Sequence, residues 1–148
     1  MNAAHLLDTN VLSELMRDSP SSVVMAWFAQ RPQAAMKTSA ITHAEILTGV
    51  ALLPAGKRRD GLALAAEEMF ATEWAGHCLP FDAAAASLYA LVRAQRVRDG
   101  HPITTEDAQI AAIALANGLP LVTRNIKDFE DIGQLTVINP WEKGDATL

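Results

Sequence analysis

Short apolar runs alternate with stretches of helical spacing along this chain. The opening residues Ala3, Ala4, Leu6 and Leu7 end abruptly in Asp8-Thr9-Asn10, after which Val11-Leu12-Ser13-Glu14-Leu15-Met16 takes up a helical pattern. This reads as a buried strand feeding a polar turn and then a helix. Ser19-Pro20-Ser21-Ser22 marks a break and a second helix start, with Pro20 suited to the first turn. Val23, Val24, Trp27 and Phe28 supply that helix with an apolar stripe, and Arg31-Pro32 ends it. Residues 34–40 form a candidate second strand built from weak β-formers. Residues 41–50 follow as a helix capped by Thr42, residues 53–61 as loop and turn, and residues 62–74 as an alanine-rich helix.

The second half repeats the alternation. Residues 77–81 have the length of a short strand stopped by Pro80, and Asp82 caps a helix that runs to about Arg98 and closes at Asp99-Gly100. Thr104-Thr105-Glu106-Asp107 opens the next helix, residues 108–117, which Gly118 terminates and Pro120 keeps from continuing. Residues 121–123 are a buried strand candidate with Arg124-Asn125 emerging at its end, a short turn or helix surrounds Lys127-Asp128-Phe129, and residues 135–138 are the last strand. Strands alternating with helices predict an α/β fold, a three-layer α/β/α sandwich around a mostly parallel sheet. Residues 1–141 are expected to form one domain and residues 142–148 a loose polar tail.

Composition narrows the function classes. A chain of 148 residues, half of them hydrophobic, is long enough for one domain with a proper core. Its single cysteine, Cys78, excludes an internal disulfide and fits a reducing compartment. No leader pattern and no apolar run of spanning length is present, so a cytoplasmic protein without membrane association is expected. The net charge of −5 argues against a broad basic face for nucleic acid. A nuclease stays open, because carboxylates gathered around metal ions raise the acidic count themselves.

Three acidic residues, Asp8, Glu45 and Asp107, fall near the starts of helices that follow extended segments. Each has a structural explanation: Asp8 as a cap, Thr42-x-x-Glu45 as a capping box, and Asp107 as part of an acidic first turn. Their joint placement says more. Parallel strands deliver their carboxyl ends to one edge, where three converging carboxylates would repel one another. A hard divalent cation such as Mg²⁺ or Mn²⁺ relieves that repulsion, activates water and stabilises charge on a phosphoryl group.

Asp8-Thr9-Asn10, Glu45 within a helix, Thr105-Glu106-Asp107-Ala108 with Ile110-Ala111-Ala112, and Leu121-Val122-Thr123-Arg124-Asn125 with Phe129 together resemble the signature of PIN-domain ribonucleases. The order and spacing are most similar to the VapC toxin group, especially its FitB-like branch. The resemblance implies a PIN-like fold and a Mg²⁺- or Mn²⁺-dependent endoribonuclease acting as the toxin of a toxin–antitoxin pair. It places Asp8, Glu45 and Asp107 at the metal, and Thr9, Asn10 and Thr123 in support of the ligands or water. It also implies a homodimer, a cognate antitoxin whose C-terminal segment occupies a groove near the site, and DNA contact only through that antitoxin. The last acidic position of the family pattern falls on Asn125, an amide that adds no charge. Asp128, about one helical turn on, is the candidate substitute.

Phosphate recognition calls for cations, and Arg124 is the best placed, followed by Lys127. Lys57-Arg58-Arg59 and Arg93-x-x-Arg96-x-Arg98 are either backbone-positioning groups or solvated helix faces. The histidines at 5, 43, 77 and 101 lack ligand spacing, although His43 lies close to Glu45. Trp27, Phe28, Trp74 and Tyr89 suit core or interface positions. Two other functions compete: a haloacid-dehalogenase-like phosphatase with Asp8 as nucleophile, disfavoured by Asn10 and Leu12 at the positions that follow, and a catalytically silent PIN-like interaction protein, favoured by Asn125.

Overall fold

The computed structural model describes residues 4–142. The expected tail beyond Glu142 lies outside the described residues. Among the described residues, five strands are interleaved with six α-helices: β1 (His5–Leu7), α1 (Thr9–Leu15), α2 (Ser22–Ala29), β2 (Met36–Ser39), α3 (Ala40–Ala51), α4 (Lys57–Thr72), β3 (Cys78–Leu79), α5 (Ala83–Arg98), α6 (Thr105–Ala116), β4 (Leu121–Val122) and β5 (Val137–Ile138). The sheet has the order β3-β2-β1-β4-β5 and every pairing is parallel. β1 is central, with His5 opposite Met36 on one side and Leu6 opposite Leu121 on the other.

Successive side chains of a strand face opposite layers, and the core divides accordingly. Leu6 and Leu121 pack with Ile110, Ile113 and Phe129 under α5 and α6. Leu7 and Val122 pack with Val11, Met36, Trp27 and Phe28 under α1 and α2. Leu6, Leu7, Leu121 and Val122 are all fully buried, each burial contributing roughly 1.5–3 kcal/mol before the entropy of ordering is counted. A strand buried on both faces is apolar at every position, which is why β1 and β4 read as continuous runs. α6 ends at Gly118, whose φ of +63° is a backbone state that a side chain disfavours.

The sandwich and the strand order of appearance agree with the sequence reading, while several boundaries move. Thr42 is not a helix cap: Ser39, at the end of β2, accepts from the Thr42 amide and starts α3 three residues earlier. Glu45 therefore lies too deep in α3 to complete a capping box. Pro20 precedes the cap Ser21 and stays outside α2. Residues 57–61 are helix and not loop, because Gly61 is tolerated within the sixteen-residue α4. Ala34 and Ala35 belong to a 3-10 turn ahead of the strand, and the last strand is confined to Val137–Ile138. α6 begins at Thr105, so Asp107 lies inside its first turn, below the cap Thr104.

Candidate active site

Because all strands run the same way, the residues leaving β1, β2 and β4 meet at one edge. Asp8 leaves β1 as the cap of α1, with its Oδ1 accepting from the Thr9 amide at 2.8 Å. Its Oδ2 accepts from Thr123 Oγ1 at 2.8 Å, so the residue after β4 orients the carboxylate. Asn10 closes the turn: its Nδ2 lies 3.4 Å from Asp8 Oδ2 and 3.3 Å from Thr123 Oγ1, and its Oδ1 accepts from the Arg124 amide at 3.2 Å. Thr9 reaches the other way, donating to Glu45 Oε1 at 2.6 Å with Thr42 Oγ1 3.0 Å away. Thr42 is fully buried, and its part in this network escaped the sequence reading. The available signal was its i, i+3 spacing from Glu45, which puts both on one helical face.

Asp107 approaches from α6, its amide held by Thr104 Oγ1 at 3.1 Å. Burial pushes the Asp8 carboxyl above the usual range, hydrogen bonds from Thr123 and Thr9 oppose this, and the charges of Glu45 and Asp128 add to it. The Asp107 carboxyl is pushed up to about 6, by burial first, then by the charge of Asp8, against the pull of Thr104, with Asp128 and Glu45 adding. These four carboxylates therefore share one electrostatic field. Among the described residues, no Lys or Arg forms an ion pair with any of them.

That donor set consists of hard oxygens, the chemistry of Mg²⁺ or Mn²⁺. Among the described residues, no three His, Cys, Asp or Glu side chains are gathered closely enough to hold a metal ion between them. The arrangement thus suits an ion that uses few carboxylates and keeps several waters, the habit of Mg²⁺.

The remaining candidates divide. Asp128 is exposed on the 3-10 turn Ile126–Asp128, and Asn125 precedes that turn with its amide donating to Thr123 Oγ1 at 3.1 Å. The Arg124 side chain is exposed, its guanidinium lies 4.8 Å from the Trp141 ring centroid, and its charge is felt by Glu14. The arginine run on α5 divides: Arg96 is buried, Arg93 reaches the Ile103 carbonyl at 3.2 Å, and Arg98 is exposed to solvent. Arg59 pairs with its neighbour Asp60. His43 stacks on Phe70 with ring centroids 4.0 Å apart and lies 3.7 Å from Glu67, so it serves the α3–α4 contact. Trp27, Phe28 and Trp74 pack against the core.

Comparison with known proteins bears on family and fold. The PIN domain family model matches residues 5–135. VapC ribonuclease Y4jK of Sinorhizobium fredii is 42% identical over 93% of this chain and 97% of its own length. Toxin FitB of Neisseria gonorrhoeae is 39% identical over 92% of this chain and 97% of its own. The solved structure of FitAB bound to IR36 DNA superposes with a TM-score of 0.83 at 38% identity, covering 93% of this chain and 95% of that one.

Proposed function

The chain belongs to the PIN-domain family, and from that premise we propose that it is the endoribonuclease toxin of a toxin–antitoxin pair, cutting RNA with a divalent metal ion. The observation that carries the reading is the shared field of Asp8, Glu45, Asp107 and Asp128 at the carboxyl edge of a parallel sheet, with no Lys or Arg among the described residues in an ion pair with them. Carboxylates with perturbed titration cluster at functional sites, where their charge is used.

Asp8, Glu45 and Asp107 would hold Mg²⁺ or Mn²⁺, which supplies an activated water and neutralises charge on the phosphoryl oxygens. The chain's own contribution is to fix that rim. Thr123 and the Thr9 amide leave Asp8 one geometry, and Thr9 does the same for Glu45. Asn10 ties both turns together, and Asn125, whose amide is fixed by Thr123, presents a neutral group where charge would add to the repulsion. Asp128 takes the outer acidic position. Arg124 leaves Trp141 to meet a phosphate of the RNA. The reaction is direct displacement at phosphorus by water, with no covalent enzyme intermediate.

The relatives extend the reading to partners. The matched solved structure is a protein complex on DNA, so a cognate antitoxin is expected to cover this chain and, given the net charge of −5, to carry the DNA contact. The open groove of about 990 Å³ lined by Leu12, Leu15, Met16, Met25, Phe28 and Trp74 is its candidate seat. A homodimer in the cytoplasm completes the proposal; among the described residues, no helix is long and apolar enough to cross a membrane.

The test is cleavage of a structured RNA pool with Mg²⁺ or Mn²⁺ by the purified chain, by its Asp8→Asn variant and in EDTA. Cutting that needs metal and is lost in the variant supports the reading. Equal cutting by both proteins overturns the site assignment. Silence in both free proteins, with antitoxin binding measured separately and intact, moves the assignment to a silent interaction protein or to an RNA target outside the pool.

A further inference from the structure

We infer that Arg96 is a positioning residue for the outer half of the carboxylate rim, setting Asp107 and Asp128 against Asp8; this rests on the function proposed above. Arg96 lies on α5, is only 6% exposed, and forms no ion pair among the described residues. Its Nε donates to the His101 carbonyl at 2.7 Å and its Nη1 to the Asp128 carbonyl at 2.9 Å. One planar guanidinium therefore ties together the loop that leads into α6, where Asp107 sits, and the 3-10 turn that carries Asp128. Arg93 adds a second tie to the same loop, through the Ile103 carbonyl at 3.2 Å and Thr105 Oγ1 at 3.4 Å.

A buried charge costs free energy unless it is well hydrogen-bonded, and an apolar side chain would fill this volume at lower cost. What an apolar side chain cannot do is hold two separate backbone segments in register through a rigid fork of donors. Of the two acidic residues on these segments, Asp107 draws a hydrogen bond from Thr104 next to it in the same turn, while Asp128 accepts from no hydroxyl among the described residues. Asp8 and Glu45 each accept from a threonine hydroxyl, whereas Asp128 is fixed only through its main chain.

The experiment compares wild type with Arg96→Met, Arg96→Lys, Asp128→Ala and the double variant Arg96→Met/Asp128→Ala. The readouts are Mn²⁺ binding by electron paramagnetic resonance, and kcat and KM for RNA. Losing a group that orients a metal site costs about 10- to 100-fold in affinity or activity. Arg96→Met is expected to weaken Mn²⁺ binding and lower kcat about tenfold with KM for RNA unchanged, and its effect should shrink once Asp128 is already gone. Arg96→Lys keeps the charge but brings one ammonium to carbonyls that two nitrogens reach separately, and should lose several-fold in kcat even where Arg96→Met fails to fold. Wild-type Mn²⁺ affinity and kcat in a folded Arg96 variant overturn the inference, as does strict additivity with Asp128→Ala. If wild type binds Mn²⁺ but cuts no RNA, the proposed function fails while the Mn²⁺ affinities still decide the role of Arg96.

Discussion

The two halves of the carboxylate rim are built by different means. The inner half, Asp8 and Glu45, is held by side-chain hydroxyls that come from three elements of the sheet edge, Thr9, Thr42 and Thr123, with Thr42 and Thr123 fully buried. The outer half, Asp107 and Asp128, is held mostly from its own segments, by Thr104 on the Asp107 amide and carboxyl and by the guanidinium of Arg96 on the Asp128 carbonyl. Asp107 is half-buried and Asp128 exposed. The inner half is thus preorganised before anything binds, which removes reorganisation from the reaction. The outer half keeps side chains that can settle onto an ion or substrate as it arrives. A site of this kind combines a fixed reference point with adjustable charge.

The largest effect should come from the fixed half. Asp8→Asn removes a charge at the centre of the rim and is expected to lower metal-dependent cleavage by at least about 100-fold, beyond the range for supporting groups. The same variant should melt higher than wild type without metal, since a neutral amide escapes the burial penalty of the charge first and the repulsion from Glu45 and Asp128 second. A lower melting temperature would mean that Asp8 acts mainly as the cap of α1. Next, Thr9→Val leaves Glu45 Oε1 and Thr42 Oγ1 without their shared partner. It should cost about tenfold in cleavage and about 1 kcal/mol in denaturant unfolding. Full activity in this variant would dissolve the contrast between a fixed and an adjustable half.

A smaller effect tests the outer half through pH. The folded chain holds a proton on Asp107 more tightly than the unfolded chain, its pKa rising from 3.8 to about 6. The metal-free chain therefore gains stability from this group below pH 3.8 and loses it as pH rises through about 6. Unfolding midpoints across that window should fall with pH for wild type, and less so for Asp107→Asn. Saturating Mn²⁺ should reverse the slope, because a ligand must be deprotonated to bind. The smallest effect is a control: Arg98→Ala, exposed at the end of α5, should leave cleavage unchanged and shift stability by no more than about 0.5 kcal/mol. A strong loss of RNA affinity in Arg98→Ala would restore the basic run of α5 as an RNA surface.

Much of this was legible along the chain because it is local. The run Leu6-Leu7 ahead of Asp8, the cap Asp82, the acidic first turn at Glu106-Asp107 and the stop at Gly118 each depend on residues within a turn of one another, so spacing alone predicts them. The parallel sheet followed from the alternation of strands and helices, and with it the edge on which Asp8, Glu45 and Asp107 would converge. Tertiary structure decided what joins distant residues. Thr42 looked like a cap because a hydroxyl three residues before a glutamate serves either role, and only the packing of α3 against α1 directs it to Thr9. Arg96 looked like one charge among several on a surface helix. It is buried because the loop after α5 and the turn after β4 close over it, bringing carbonyls 5 and 32 residues away within reach. A hydrogen bond is set by distance in space, and sequence spacing stops reporting that distance once the chain leaves a single turn.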